Sequence, residues 1–221
     1  MRLQPDDSAK VAAAIRAAEA RTDGEISAIV SNASDSYGDI VLQWSALAAL
    51  FPLTIAAAWP PLLLKALAPL TGWEAPSVRI QLSLLTIVCV LMFVIGRFVI
   101  GRPAVRMAVT PRAIKERRVR ARAIMLFRAG TEQRTLSKTG VLLYLSLAEH
   151  RAEIVADAAI HARAPQEAWG EAMAALVEAM RDGRPGDGMA AAVERIGAVL
   201  ATHFPFSGTD PNELPDRLIQ L

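Results

Sequence analysis

The sequence predicts an α/β fold, a central sheet flanked by helices, interrupted by a two-helix transmembrane hairpin. Three observations carry that expectation. Val141-Leu142-Leu143-Tyr144-Leu145-Ser146-Leu147 is apolar on both alternations, as a strand covered on both faces requires. A polar turn, Ala148-Glu149-His150, and a shorter extended run from Arg151 to Ala156 follow it, and together these read as a hairpin at the centre of a sheet. Upstream lie two uncharged apolar stretches, Val41–Leu64 and Ile80–Gly96, of 24 and 17 residues.

Taken in order, Ser8 to Arg21 reads as a helix capped by Ser8 or Asp7, with Val11, Ile15 and Ala18 near one face. Glu25 to Val30 alternates loosely, as a strand does, and Asn32 to Asp39 is a polar break. At the α-helical rise the first apolar stretch would reach about 36 Å, enough for a hydrocarbon core of about 30 Å. Pro52 should kink it and Trp59-Pro60-Pro61 should end it, so the first span is expected at about 42–58, with 62–70 lying along the membrane surface. The second span is expected at about 80–100, with Arg97 snorkelling. The alternative, a buried helical hairpin in a soluble core, is disfavoured by two such spans so close together.

Thr110 as N-cap and Pro111 at the first helical position open the next helix, which should run to about Ala129 with Val119, Ala123, Leu126 and Phe127 on its apolar side. After the strand hairpin, Pro165 should start a helix with Trp169, Met173, Leu176 and Met180 on one stripe. Gly183-Arg184-Pro185-Gly186 breaks it, and Asp187 can cap a last helix with Met189, Val193, Ile196 and Leu200 inward. From Phe204 the chain, with Pro205, Pro211 and Pro215, reads as a poorly ordered extension.

A Gly140-Val141-Leu142-Leu143 strand, a charged turn, a second strand and two small-residue-rich helices resemble the TPM domain family, in a membrane-embedded bacterial form. The resemblance runs from about Arg134 to Pro205 and more weakly from Ser8 to Val30, where Thr22-Asp23-Gly24-Glu25-Ile26 holds the place of the family's first strand. It implies a domain organisation of 1–38 as the first part of a TPM-like domain, 39–101 as the membrane hairpin, 102–205 as the remainder and 206–221 as a flexible tail. It also implies partners among membrane proteins of the LemA type, and an interaction, assembly or maintenance role. Acid phosphatase activity, described for some members, is the alternative. The family's acidic turn before the central strand is here Ser137-Lys138-Thr139-Gly140, which removes a carboxylate.

The 221-residue chain is 53% hydrophobic, with a mean hydropathy of +0.31 that leans toward a membrane protein. Its one cysteine, Cys89, excludes a disulfide framework and a cysteine-built metal site. The start, Met1 to Asp7, has no apolar core before a cleavage site, so no secretory signal is expected. A net charge of +2 conceals a strong asymmetry: Arg102 to Lys138 carries 11 basic and 2 acidic residues, while Thr139 onward carries 6 basic and 12 acidic. Arg97, Arg102, Arg106, Arg112, Lys115, Arg117 and Arg118 follow the second span, against Lys65 and Arg79 between the spans. That bias predicts a multi-pass protein with both termini cytoplasmic, and the resemblance implies that the membrane is a bacterial inner membrane.

Arg112, Lys115, Arg117, Arg118, Arg120 and Arg122 are therefore expected to meet the anionic headgroups of a lipid bilayer. Without interleaved aromatics they make no case for nucleic acid. No phosphate loop, dinucleotide fingerprint, zincin motif or nucleophile elbow occurs. Glu149, Glu153, Asp157 and His161 are the candidates for holding a divalent cation, Ca or Mg, with Arg151 and Arg163 as clamps for a phosphoryl group, as metal-assisted phosphoryl transfer would need. The same residues serve equally as turn and helix-start residues in water. The sequence is compatible with a homo-oligomer.

Overall fold

A computed structural model describes residues 5–62, 65, 77–130, 139–164, 166–208 and 214–221. The expected surface-lying run at 62–70 (Leu62 and Lys65 apart), the turn at 137–138, Pro165 and Pro211 lie outside the described residues. Two compact units divide the chain: residues 1–35 with 112–221, and residues 36–111.

In the first unit, α1 (Pro5–Glu19) is alanine-rich, with Asp6 and Asp7 in the first turn where the helix dipole favours them. Val11, Ile15 and Ala18 lie on one face and are buried. Strand β1 (Glu25–Ser31) follows. After the second unit come α5 (Arg112–Gly130), β2 (Gly140–Ser146) and β3 (Arg151–Ala156). The short helix α6 (Ala158–His161), a 3-10 turn (Gln166–Trp169), α7 (Gly170–Arg181), α8 (Pro185–His203) and β4 (Leu218–Gln220) complete it.

The four strands form one sheet in the order β3-β2-β1-β4. β1 runs parallel to β2 with Glu25 opposite Gly140 and Ser31 opposite Ser146. β2 and β3 are antiparallel, with Ser146 opposite Arg151. Every residue of β1 and β2 is buried, as two interior strands between helical layers must be. On one face Ile26, Ala28, Val30, Val141, Leu143 and Leu145 join α1, α7 and α8 in the larger core. On the other, Ile29, Leu142 and Tyr144 pack against Val119, Ala123 and Phe127 of α5. The period-2 alternation thus sends successive β2 residues into two cores.

Three expectations for the first unit change. The strand hairpin is not wholly central: β2 is interior, but β3 is an edge strand and only half-buried, because no strand of the described residues pairs with its far side. The end of the chain is not simply a loose tail: Ala28, Ile29 and Val30 pair in parallel with Leu218, Ile219 and Gln220, and Leu214 and Leu218 are buried. The prolines of that region masked a strand of only three residues. Asp187 does not cap the last helix. Pro185 occupies its first turn, and Asp187, within that turn, pairs instead with Lys10 of α1 at 2.6 Å and with Arg184 at 3.4 Å. The pair holds the Asp187 carboxyl below its usual range, Lys10 being the larger cause.

The second unit consists of α2 (Gly38–Ala58), α3 (Val78–Gly101) and α4 (Pro103–Val109). α2 contains Pro52 and is capped by Trp59, while α3 starts two residues before the expected position. The two long helices pack against each other closely at one crossing, where a Cβ on Gly96 would stand 3.2 Å from the Ser45 backbone. Ser45 is fully buried and returns its hydroxyl to Val41 O at 2.7 Å. Elsewhere both helices turn apolar side chains outward: only 17% of the apolar stretch of α2 and 6% of that of α3 is buried. Thr110, expected to cap the helix after it, instead turns back. Its hydroxyl bonds Arg106 O at 2.7 Å, closing α4, and α5 begins at Arg112.

Candidate functional site

Parallel neighbours β1 and β2 both end at serine, and the carboxyl ends of parallel strands are where α/β sheets place ligand sites. The β2–β3 turn and the polar segment after β1 meet there. Leu147 N bonds Ser31 O at 3.0 Å and Ala148 N bonds Asn32 O at 2.9 Å, so the turn extends the β1–β2 ladder. Glu149, 5% exposed, fastens the two loops: Ser34 N donates to Oε1 at 2.9 Å, and Ser146 Oγ donates to Oε2. Ser34 Oγ also meets Tyr144 OH at 3.0 Å. Arg118 of α5 pairs with Asp35. His150 takes a left-handed φ of 51°, uncommon for a non-glycine residue, to close the turn.

Beside this knot, between the edge strand and two helices, opens a cleft of about 660 Å³. Its rim is cationic: Arg112 and Lys115 from the start of α5, Arg151 from the start of β3 and Arg181 from the last turn of α7. Its floor is apolar, with Leu145, Met173, Leu176, Val177 and Met180. Among the described residues the lining holds one carboxylate, Glu149, already engaged by the two serines. Glu116 stands 3.6 Å from Arg151. The first turn of α5 holds no acidic residue, and basic residues there oppose the helix dipole, typically at a few tenths of a kcal/mol each. Their presence answers to something other than helix stability.

The metal candidates do not meet. Glu149 sits at one end of the strand hairpin and Asp157 at the other, roughly 20 Å away by the strand rise. Asp157 accepts from Gly140 N at 2.9 Å, tying β3 back to the start of β2. Glu153 lies mid-strand opposite Tyr144, its carboxyl raised by burial, against which Arg120 acts, while Glu116 raises it further. His161 is exposed at the end of α6. Among the described residues no group of three or more His, Cys, Asp or Glu side chains is placed to hold a metal ion. The described residues do not bring these candidates together around one divalent cation. Arg163 faces the Phe204 ring at 4.9 Å, away from Arg151 and the cleft, so the two do not form one clamp.

Of the basic residues on α5, Arg112, Arg117 and Arg120 are exposed, whereas Lys115, Arg118 and Arg122 are half-buried. Arg112 and Lys115 join the cleft and Arg118 the loop knot. The run divides among separate tasks.

Reading the sequence missed a second acidic group. Glu19, at the end of α1, Glu25, at the start of β1, and Asp216, before β4, line a hollow of about 310 Å³ with Arg16, Thr22 and Phe206. Ile26 N donates to Glu19 Oε1 at 2.8 Å, and Leu214 N donates to Glu25 Oε2 at 3.2 Å. Burial pushes the Glu19 carboxyl up to about 8; the Ile26 bond opposes this, and Glu25 and Asp216 reinforce it. Glu19 and Glu25 are close in sequence, but nothing in the sequence placed Asp216 beside them.

The helical and strand order from α4 to α8 now has a match: residues 103–199 fit the family model described as the TPM domain. This stretch of the chain is similar to the TPM domain. Outside the matched residues, α1, β1 and β4 complete the same sheet and larger core. A solved structure, the NMR structure of BA42 protein from the psychrophilic bacterium Bizionia argentinensis, shares the fold, with a TM-score of 0.58 and 17% identity over 100% of this chain and 97% of that one. No curated protein matches the sequence.

Proposed function

We propose that the two apolar helices cross a bacterial inner membrane and that the TPM domain is a cytoplasmic interaction module for other membrane proteins, assisting their assembly or maintenance. Membrane insertion is supported by the outward-facing apolar surface of α2 and α3, which water would solvate poorly. The basic flank after α3 supports the cytoplasmic placement, and Arg112, Arg117 and Arg120 are exposed for contact with anionic headgroups.

The observation that carries the interaction reading is the cleft beside the edge strand. A cationic rim around an apolar floor suits an acidic, amphipathic segment of a protein partner, the rim steering and orienting, the floor supplying most of the contact energy. Partners of the LemA type are the expected class. A photo-crosslinking residue in place of Val177, in the full chain in its own membrane, should give discrete adducts with membrane proteins. Arg151→Glu with Arg181→Glu should abolish them. Adducts indifferent to that reversal, or none, would refute the cleft as the docking place.

A further inference from the structure

We infer that the hairpin unit contains a binding site for the phosphate of an anionic phospholipid, held between Arg97 of α3 and Arg106 of α4. The inference rests on the reading that α2 and α3 span a membrane. A hollow of about 480 Å³ lies where α2 begins, α3 ends and α4 follows. Val41, Phe93, Val94 and Phe98 form apolar walls, and Arg97 and Arg106 supply two guanidinium groups. Among the described residues, no acidic side chain lines it.

The two arginines are uncompensated. Neither makes an ion pair with any described residue. Arg106 Nε is moreover buried without a hydrogen-bond partner. A guanidinium N–H withdrawn from water without an acceptor is costly, and a cation more so, so the arrangement calls for an anion that the described residues do not supply. Planar guanidinium groups match the oxygens of a phosphate in paired, charge-assisted bonds.

The walls name the source of that phosphate. A free inorganic anion gains nothing from phenylalanine and valine, whereas the glycerol and upper acyl chain of a lipid do. The walls also run on into lipid-facing surface: Phe98 is 76% exposed, and Leu91 and Ile95 on the same helix are exposed too. Depth agrees. The 24 residues of α3 span about 36 Å, some 6 Å more than the hydrocarbon core, and that excess is the four-residue distance from Arg97 to the end of the helix at Gly101. Arg97 then lies at the boundary where lipid phosphates sit. This site is separate from the basic face of α5, which meets headgroups without enclosing one.

The test uses the full chain in mild detergent, titrated with short-chain phosphatidic acid, short-chain phosphatidylcholine or inorganic phosphate, and read by native mass spectrometry. Phosphatidic acid should saturate at one molecule per chain, at least tenfold tighter than either comparison. Arg97→Gln with Arg106→Gln should weaken it by tenfold or more. Arg106→Lys, which keeps the charge and loses the paired geometry, should fall between. Arg128→Gln, outside the hollow, should leave it unchanged. Equal binding of inorganic phosphate would overturn the lipid assignment, and an equal loss in Arg128→Gln would overturn the site in favour of diffuse charge. Circular dichroism of each variant separates lost binding from lost folding, and Arg106→Lys carries the test if the double variant misfolds. Alkaline extraction of the same membranes distinguishes the two readings: a chain that stays embedded but shows no selective lipid refutes the site alone. A chain released by alkali refutes the membrane reading and the site with it.

Discussion

At the scale of single residues, the carboxylates of the first unit do structural work by the bonds they accept. Glu149 fastens two loops, Asp157 fastens two strands, and Glu25 holds the backbone at Leu214. Glu19 differs because burial and two neighbouring carboxylates keep its proton on. The sign of its effect follows. The folded chain holds that proton up to about pH 8, whereas the unfolded chain releases it near the ordinary 4.5, so stability falls as pH rises between those values. The slope from this group is at most about 1.4 kcal/mol per pH unit. Glu19→Gln, which can still accept from Ile26 N, should remove that component of the slope: denaturant midpoints should differ little from the parent at pH 4.5 and exceed it at pH 8.5. A lower midpoint at pH 8.5 would mean the carboxylate is stabilising when charged. None of this was legible in the sequence, since a raised carboxyl needs three segments brought to one spot.

At the scale of elements, what was readable was periodicity. The inward stripe of Met189, Val193, Ile196 and Leu200 and the two-faced apolar run of β2 both follow from side-chain direction, which the sequence states directly. What failed depended on competition between partners. Thr110 could cap forward or close the preceding turn, and it closes the turn. Leu218 to Gln220 is too short to read as a strand alone, and only the waiting edge of β1 makes it one. The cationic cleft was half legible: its arginines stood in the sequence, but the four rim residues come from three elements. Close helix packing shows where the margin is thin. Gly197 of α8 faces α1, and a Cβ there would stand 2.5 Å from Ala18 Cβ. Gly197→Ala should therefore lower stability by about 1–2 kcal/mol, the overpacking cost exceeding the gain in helix propensity. Adding Ala18→Gly should recover most of the melting temperature. An unchanged temperature in the single variant would show that the two helices separate at little cost.

At the scale of the whole molecule, the apolar helical hairpin lies within the sequence of the first unit rather than at its edge: that unit leaves off at residue 35 and resumes at 112. Both crossing points must then be on the same side of the bilayer if the hairpin spans it, which fixes an even number of crossings. A reporter fused after Leu221 should be active in its cytoplasmic form, and a cysteine replacing Gly72 should react with an impermeant reagent from outside. Periplasmic activity of the fusion would reverse the orientation.

The parallel pairing of β1 with β2 has a consequence in time. Ser31 ends one strand and Gly140 begins the other, so 108 residues separate the partners along the chain. At a synthesis rate of about 5–20 residues per second, β1 must wait some 5–20 s for its neighbour. All of the hairpin is made within that interval. The segment Glu25-Ile26-Ser27-Ala28-Ile29-Val30-Ser31, buried to the last residue in the finished protein, spends it with both edges open. If α2 and α3 enter a membrane as they are made, their insertion precedes assembly of the sheet, and a chain stalled between the two events displays an adhesive strand at that surface. Holding factors that recognise such strands, and quality-control proteases that remove them, have their window there.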